Sequence, residues 1–174
     1  MVPCGKVRGR KFDLVYLIGL LVVILDQWIK WIVATHITVD TGFPLLHGVV
    51  EILYVRNTGA AFSLFVNERV VLIAVAVVVI VGVVFVDRKM ARGKLSLQIP
   101  LGLLLGGAVG NLIDRVWHGY VIDYLFIQAI HFPVFNLADS AIVVAVVILV
   151  IRSWKSHGKE VSEGEDDHGT QNPG

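Results

Sequence analysis

Four long apolar runs divide the 174-residue chain, and polar segments separate them. They are Leu14–Ala34, Val70–Val86, Leu97–Val116 and Phe135–Trp154. Each approaches the roughly 20 apolar residues that a helix needs to cross a hydrocarbon core of about 30 Å. The pattern predicts four membrane-spanning helices, which puts both termini on one side. Between the first two runs, Val49–Val55 is rich in β-branched residues and reads as a strand. The turn formers Asp40-Thr41-Gly42 and Asn57-Thr58-Gly59 flank it. The expected fold class is therefore an all-α membrane protein of four transmembrane helices, with a small β-rich extracytoplasmic segment on the membrane surface. One domain spans residues 1–154, and the polar, acidic residues 155–174 are expected to form a disordered cytoplasmic tail.

Composition supports the membrane assignment. Hydrophobic residues make up 56% of the chain and mean hydropathy is +0.76, which excludes an ordinary soluble domain. Net charge is only +1, but its distribution is informative. Lys6, Arg8, Arg10 and Lys11 precede the first run, Arg88, Lys89, Arg92 and Lys94 follow the second, and Arg152, Lys155 and Lys159 follow the last. Those eleven of the fifteen basic residues fall on one side, which the positive-inside rule makes cytoplasmic. The segments 35–69 and 117–134 then lie outside. The N-terminus resembles a signal peptide, but the apolar pattern continues through Trp31–Ala34 without a small-x-small cleavage site, so the first helix is expected to be retained. The single cysteine, Cys4, has no internal disulfide partner.

The candidate chemistry lies in the polar residues that interrupt these runs, because ionisable groups at membrane depth are costly. Asp26 and Lys30 stand four apart on the first helix and share a face. They form either a packing pair or a support for a site. Gly102, Gly106 and Gly110 recur every fourth residue of the third run, a device for close helix packing. Asn111, Asp114 and Arg115 follow at the end of that helix and Asp123 lies beyond it. Asn136 suits an N-cap for the fourth helix, with Asp139 in its first turn. The topology brings Asp123 and Asp139 to the same outer boundary. Two carboxyl groups placed together share one proton, and such a pair does general acid and base work at once. Three other readings use the same residues: a proton or cation relay, a non-catalytic scaffold with acid clasps, and a Mg²⁺ hydrolase. No Ser/His/Lys triad and no histidine with metal-ligand spacing accompany the acids. Nothing points to a metal, a cofactor or a nucleic-acid partner.

Four ordered motifs carry a family resemblance. They are Asp26-Gln27-x-x-Lys30, then Asn57-Thr58-Gly59-Ala60-Ala61-Phe62-Ser63, then Gly110-Asn111-Leu112-Ile113-Asp114-Arg115 with Gly119-Tyr120-Val121-Ile122-Asp123, and finally Phe135-Asn136-Leu137-Ala138-Asp139-Ser140. Over residues 14–151 the chain resembles bacterial lipoprotein signal peptidase, also called signal peptidase II. The resemblance implies an aspartic endopeptidase of the bacterial inner membrane. It would remove the signal peptide from diacylglyceryl-modified prolipoproteins, just before the lipidated cysteine. It implies Asp123 and Asp139 as the catalytic pair. Asn57, Gly110, Asn111, Asp114, Arg115 and Asn136 match positions around the family's site, and Asp26 and Lys30 match its first-helix motif. A monomer in contact with membrane lipid is expected, and segment 35–69 is expected to cover the site as a lid. Two positions depart from the pattern. Ile29 stands where Ser or Thr is usual before the lysine. Tyr124 stands where Phe is usual after the first acid, and is expected to add only a polar tip at the interface.

Overall fold

In the computed structural model, residues 14–59, 68–91 and 94–166 are described, with side chains up to residue 155. Four helices appear in chain order: α1 (Leu14–His36), α2 (Arg69–Val86), α3 (Leu95–Trp117) and α4 (Leu137–Asp166). Four strands make one antiparallel sheet in the order β1-β2-β3-β4: β1 (Gly42–Leu46), β2 (Val50–Asn57), β3 (Val121–Ile127) and β4 (Phe132–Phe135). All four helices are long and apolar enough to cross a membrane, and the chain is a multi-pass membrane protein. The end of α1, the start of α2, the end of α3 and the start of α4 lie toward the sheet.

The hydropathy boundaries hold to within a few residues, with two corrections. Phe135 ends β4 and Asn136 stands outside the helix, so α4 begins at Leu137. At its other end α4 continues to Asp166, where hydropathy predicted a disordered tail from residue 155. The apolar part stops near Lys155, but Lys, Glu and Ser are compatible with further helical turns in water. The segment 117–134, expected as a plain return loop, holds β3 and β4. Cys4 and Ala60-Ala61-Phe62 lie outside the described residues.

Helix α3 is the centre of the bundle. More than half of its spanning window is buried (56%), against 17–22% for the other three. Its glycines make this possible. A Cβ on Gly106 would stand 2.6 Å from the Val22 Cβ of α1. One on Gly107 would stand 2.4 Å from the Ala138 carbonyl oxygen of α4. One on Gly110 would stand 2.6 Å from the Asp26 carboxylate. Bare backbone thus lets α1 and α4 close onto adjoining faces of α3, where they also meet each other. By contrast α2 buries only Leu72 and Val83 and turns its Val-rich surface outward, as suits a helix bathed in lipid. After α2, a single π-helical turn, Asp87–Ala91, carries Asp87 inward. Its side chain is 1% exposed, and neither carboxyl oxygen has a hydrogen-bond partner among the described residues.

The sheet packs on the end of α1 through Val33, Tyr54, Ile122 and Tyr124, with Ile29 and Leu125 against them. Ile29 therefore takes a packing role where the family pattern has a hydroxyl. The register sets Val55 opposite Asp123 and Asn57 opposite Val121, so β2 delivers Asn57 beside the acid on β3. Two tight turns close the hairpins, with Gly48 and His131 at positive φ (75° and 50°).

Candidate active site

Two linked polar groups lie where α1, α3, α4 and β3 meet. The first is an ion network in the bundle core. The Lys30 ammonium lies 2.8 Å from Asp26 and 2.9 Å from Asp114, and it donates to the Asn111 amide oxygen at 3.1 Å. Three donors thus meet three acceptors, which suits an ammonium only 1% exposed. Asp26 and Asp114 are fully buried, and each also accepts from a backbone N–H. Asp26 accepts from the Ala138 N–H (3.0 Å), and Asp114 from the Ile122 N–H (3.1 Å). Asp26 and Lys30 thus pair within the bundle, Asp26 also holds the start of α4, and Asp114 holds β3.

The second group contains Asp123 and Asp139. Asp123, in the middle of β3, is 1% exposed and accepts from Asn57 Nδ2 (2.8 Å) and Asn136 Nδ2 (2.7 Å). Asp139, in the first turn of α4, accepts from Asn111 Nδ2 at 2.7 Å. Asn136 stands between them. Its Oδ1 caps α4 by accepting the Asp139 N–H at 2.9 Å, while its amide nitrogen serves Asp123. Asn111 joins the two groups, since its oxygen faces Lys30 and its nitrogen faces Asp139. Arg115 donates to the carbonyls of Asn111 (3.3 Å) and Gly59 (3.4 Å) and has no ion-pair partner among the described residues.

Burial first, and then the neighbouring Asp139 carboxylate, push Asp123 up to about 7 against the pull of its two amide donors. One proton therefore stays on the pair up to near-neutral pH. The arrangement places a carboxyl group that keeps its proton to near-neutral pH close to a second carboxyl group, each oriented by amides that do not titrate.

All ten sequence-predicted residues fall in this one network. Asn57 is both turn former and site residue, because its Oδ1 accepts the Gly59 N–H at 2.9 Å while its nitrogen reaches Asp123. Asp114 faces Lys30 and Gln27, away from the acid pair. Among the described residues no group of three His, Cys, Asp or Glu is arranged to hold a metal ion. Two contributors were named in the sequence reading without a site role. Gln27 donates to Asp114 (2.9 Å) and to the Gly110 carbonyl (3.2 Å), closing the core network from α1. Its signal was an amide inside an apolar helix, next to Asp26. Tyr124 corrects the expectation of a polar tip at the interface. It is 4% exposed, and its hydroxyl accepts the Leu137 N–H at 3.1 Å. Of the segment 35–69 expected as a lid, β1 and β2 belong to the sheet, while residues 60–67 lie outside the described residues.

A four-span bundle with a buried Asp123 and a half-buried Asp139 at its sheet end defines the class: a membrane-embedded aspartic peptidase. The model of the family described as Signal peptidase (SPase) II matches residues 18–155. The lipoprotein signal peptidase of Bacillus velezensis is 38% identical over 149 residues, covering 84% of this chain and 97% of its own. That of Halothermothrix orenii is 39% identical over 142 residues, covering 82% and 96%. A bacterial membrane enzyme solved in meso at 2.3 Å superposes with a TM-score of 0.80 at 31% identity, covering 83% of this chain and 90% of that one. A second, at 1.9 Å, gives 0.73 at 32% identity. The chain belongs to the signal peptidase II family.

Proposed function

We propose that Asp123 and Asp139 are the catalytic acids with which this signal peptidase removes signal peptides from prolipoproteins. The observation that carries the reading is Asn136, which donates to one carboxylate through its side chain and caps the helix turn bearing the other. The ionised acid takes a proton from water as the water oxygen attacks the scissile carbonyl. The neutral acid gives its proton to the carbonyl oxygen. When the tetrahedral diol collapses, the acid that gained a proton passes it to the leaving nitrogen. The other acid recovers its proton from one hydroxyl of the diol, whose oxygen becomes the carbonyl of the new carboxyl group as the C–N bond breaks, and the pair returns to its starting state. Arg115 and Asn57 flank the pair and offer donors to the extended substrate backbone.

The substrate is the diacylglyceryl-modified form, cut just before the lipidated cysteine. Its acyl chains and apolar signal segment both reside in the bilayer, and the apolar bundle beside the acids accepts them by lateral entry from lipid. The clustering of basic residues at the opposite end of the bundle supports cytoplasmic termini and a sheet on the outer face of the bacterial inner membrane. The glycine face of α3 is occupied by α1 and α4 of the same chain, which favours a monomer.

Cleavage of a diacylglyceryl-modified prolipoprotein peptide by the purified protein tests this, beside Asp123→Asn and Asp139→Asn. Both variants are expected to melt cooperatively and to lose nearly all activity. Near-parent activity in either would remove that aspartate from the mechanism.

A further inference from the structure

The start of α4 is held more tightly than a helix end requires. A helix leaves its first backbone N–H groups without internal acceptors, and most helices in water leave some of them to solvent. Here each of the first three has its own side-chain acceptor, and each acceptor comes from a different element. Leu137 donates to the Tyr124 hydroxyl of β3 at 3.1 Å. Ala138 donates to the Asp26 carboxylate of α1 at 3.0 Å. Asp139 donates to the Asn136 cap at 2.9 Å. Ser140 is the first whose N–H finds a helical carbonyl, that of Asn136.

Tyr124 is the informative member of the three. It follows Asp123 directly on β3, so the two side chains leave the strand on opposite faces. Asp123 enters the acid pair from one face. From the other, the Tyr124 ring packs with Val33, Tyr54 and Ile122, and its hydroxyl reaches the turn that carries Asp139. A rigid ring, anchored one residue from the first acid, thereby holds the helix turn of the second.

We propose that the Tyr124 hydroxyl is a positioning residue that sets how close the Asp139 turn sits to Asp123. The inference rests on the acid-pair reading above. Burial raises the Tyr124 hydroxyl above its ordinary value, so it stays protonated across the working range and serves as a fixed acceptor. Closeness to Asp139 is one of the two causes that raise Asp123, after burial. The charged groups around the pair are Lys30 from α1, Arg115 from α3 and Asp139 from α4, with neutral amides from Asn57, Asn111 and Asn136. Loosening the α4 turn weakens only the Asp139 contribution. Asp123 then titrates lower, and the alkaline limb of activity moves to lower pH.

The test is Tyr124→Phe, which keeps the ring and its packing and removes one acceptor. Initial rates on the lipidated prolipoprotein peptide are read from pH 5 to 9, beside melting curves for parent and variant. The expected result is a folded enzyme with an alkaline limb lowered by about half a pH unit. Its kcat at neutral pH falls about three- to tenfold, the scale of one buried hydrogen bond, with KM little changed. An unmoved limb with only a lower melting temperature would make Tyr124 a structural residue and overturn the proposal. Asp139→Asn in the same assay separates the two layers. If it is inactive, an unmoved Tyr124→Phe limb refutes the positioning role alone. If it is active, the acid-pair reading fails and the positioning role falls with it.

Discussion

Lys30 Nζ meets Asn111 Oδ1 at 3.1 Å, and through this contact the ion network of the bundle core reaches the acid pair. The ammonium neutralises Asp26 and Asp114, and the amide it orients points its nitrogen at Asp139. A charge that serves packing also fixes the direction of a hydrogen bond to one of the two proposed acids.

Removing that charge alone is expected to be severe. Lys30→Met leaves two buried carboxylates facing each other without a cation, a change that costs about 3–5 kcal/mol when one partner of a buried pair is lost. Thermal melting in detergent should show a large drop, with activity lost in parallel. The triple variant Asp26→Asn, Lys30→Met, Asp114→Asn removes all three charges and should recover much of the melting temperature.

Asn136 does two jobs that one substitution separates. Serine caps helices about as well as asparagine, so Asn136→Ser should keep stability within about 1 kcal/mol. It carries no amide donor for Asp123. Cleavage rates are expected to fall about 100-fold, the usual scale of a lost acid–base contribution. Equal losses of stability and activity would count against this division of roles.

The pH dependence follows from Asp123, raised to about 7 in the folded chain. Activity should fall as pH rises through about 7, because the neutral acid is lost. The stability sign is the same: a carboxyl raised on folding gives its full contribution below its unfolded value near 4, and that contribution is lost as pH rises through the folded value. Asp123→Asn removes the titration. The variant should be inactive, yet its melting temperature should change less between pH 5 and 8 than the parent's.

Asp87 offers a control far from the chemistry. Its carboxyl group is buried at the opposite end of the bundle, without a hydrogen-bond partner among the described residues. Such a group costs about 1–3 kcal/mol, and more when charged. Asp87→Leu is expected to raise the melting temperature and leave cleavage rates unchanged.

The sequence made the spans legible because membrane helices must be long and apolar, and it exposed the site because polar residues stand out against such runs. The strands β3 and β4 were not legible. Val121–Ile127 is nearly continuous in apolar residues, so alternation is absent, and its partner Val50–Asn57 lies some seventy residues away in the chain. Asn136 and Asp139 could be read as a helix start from local spacing. Tyr124 could not be read, because its partner is a backbone N–H that every residue but proline carries.

The dispersal of these supports along the chain bears on how the enzyme comes into being. Asp26, Asn57, Asn111 and Asp123 all precede the final helix, and Asp139 arrives with it. During synthesis, a chain with three helices inserted holds Asp123 and its Asn57 donor but not Asp139. On the proposed mechanism, hydrolysis begins only when the last helix enters the membrane and its first turn reaches all three of its fastenings.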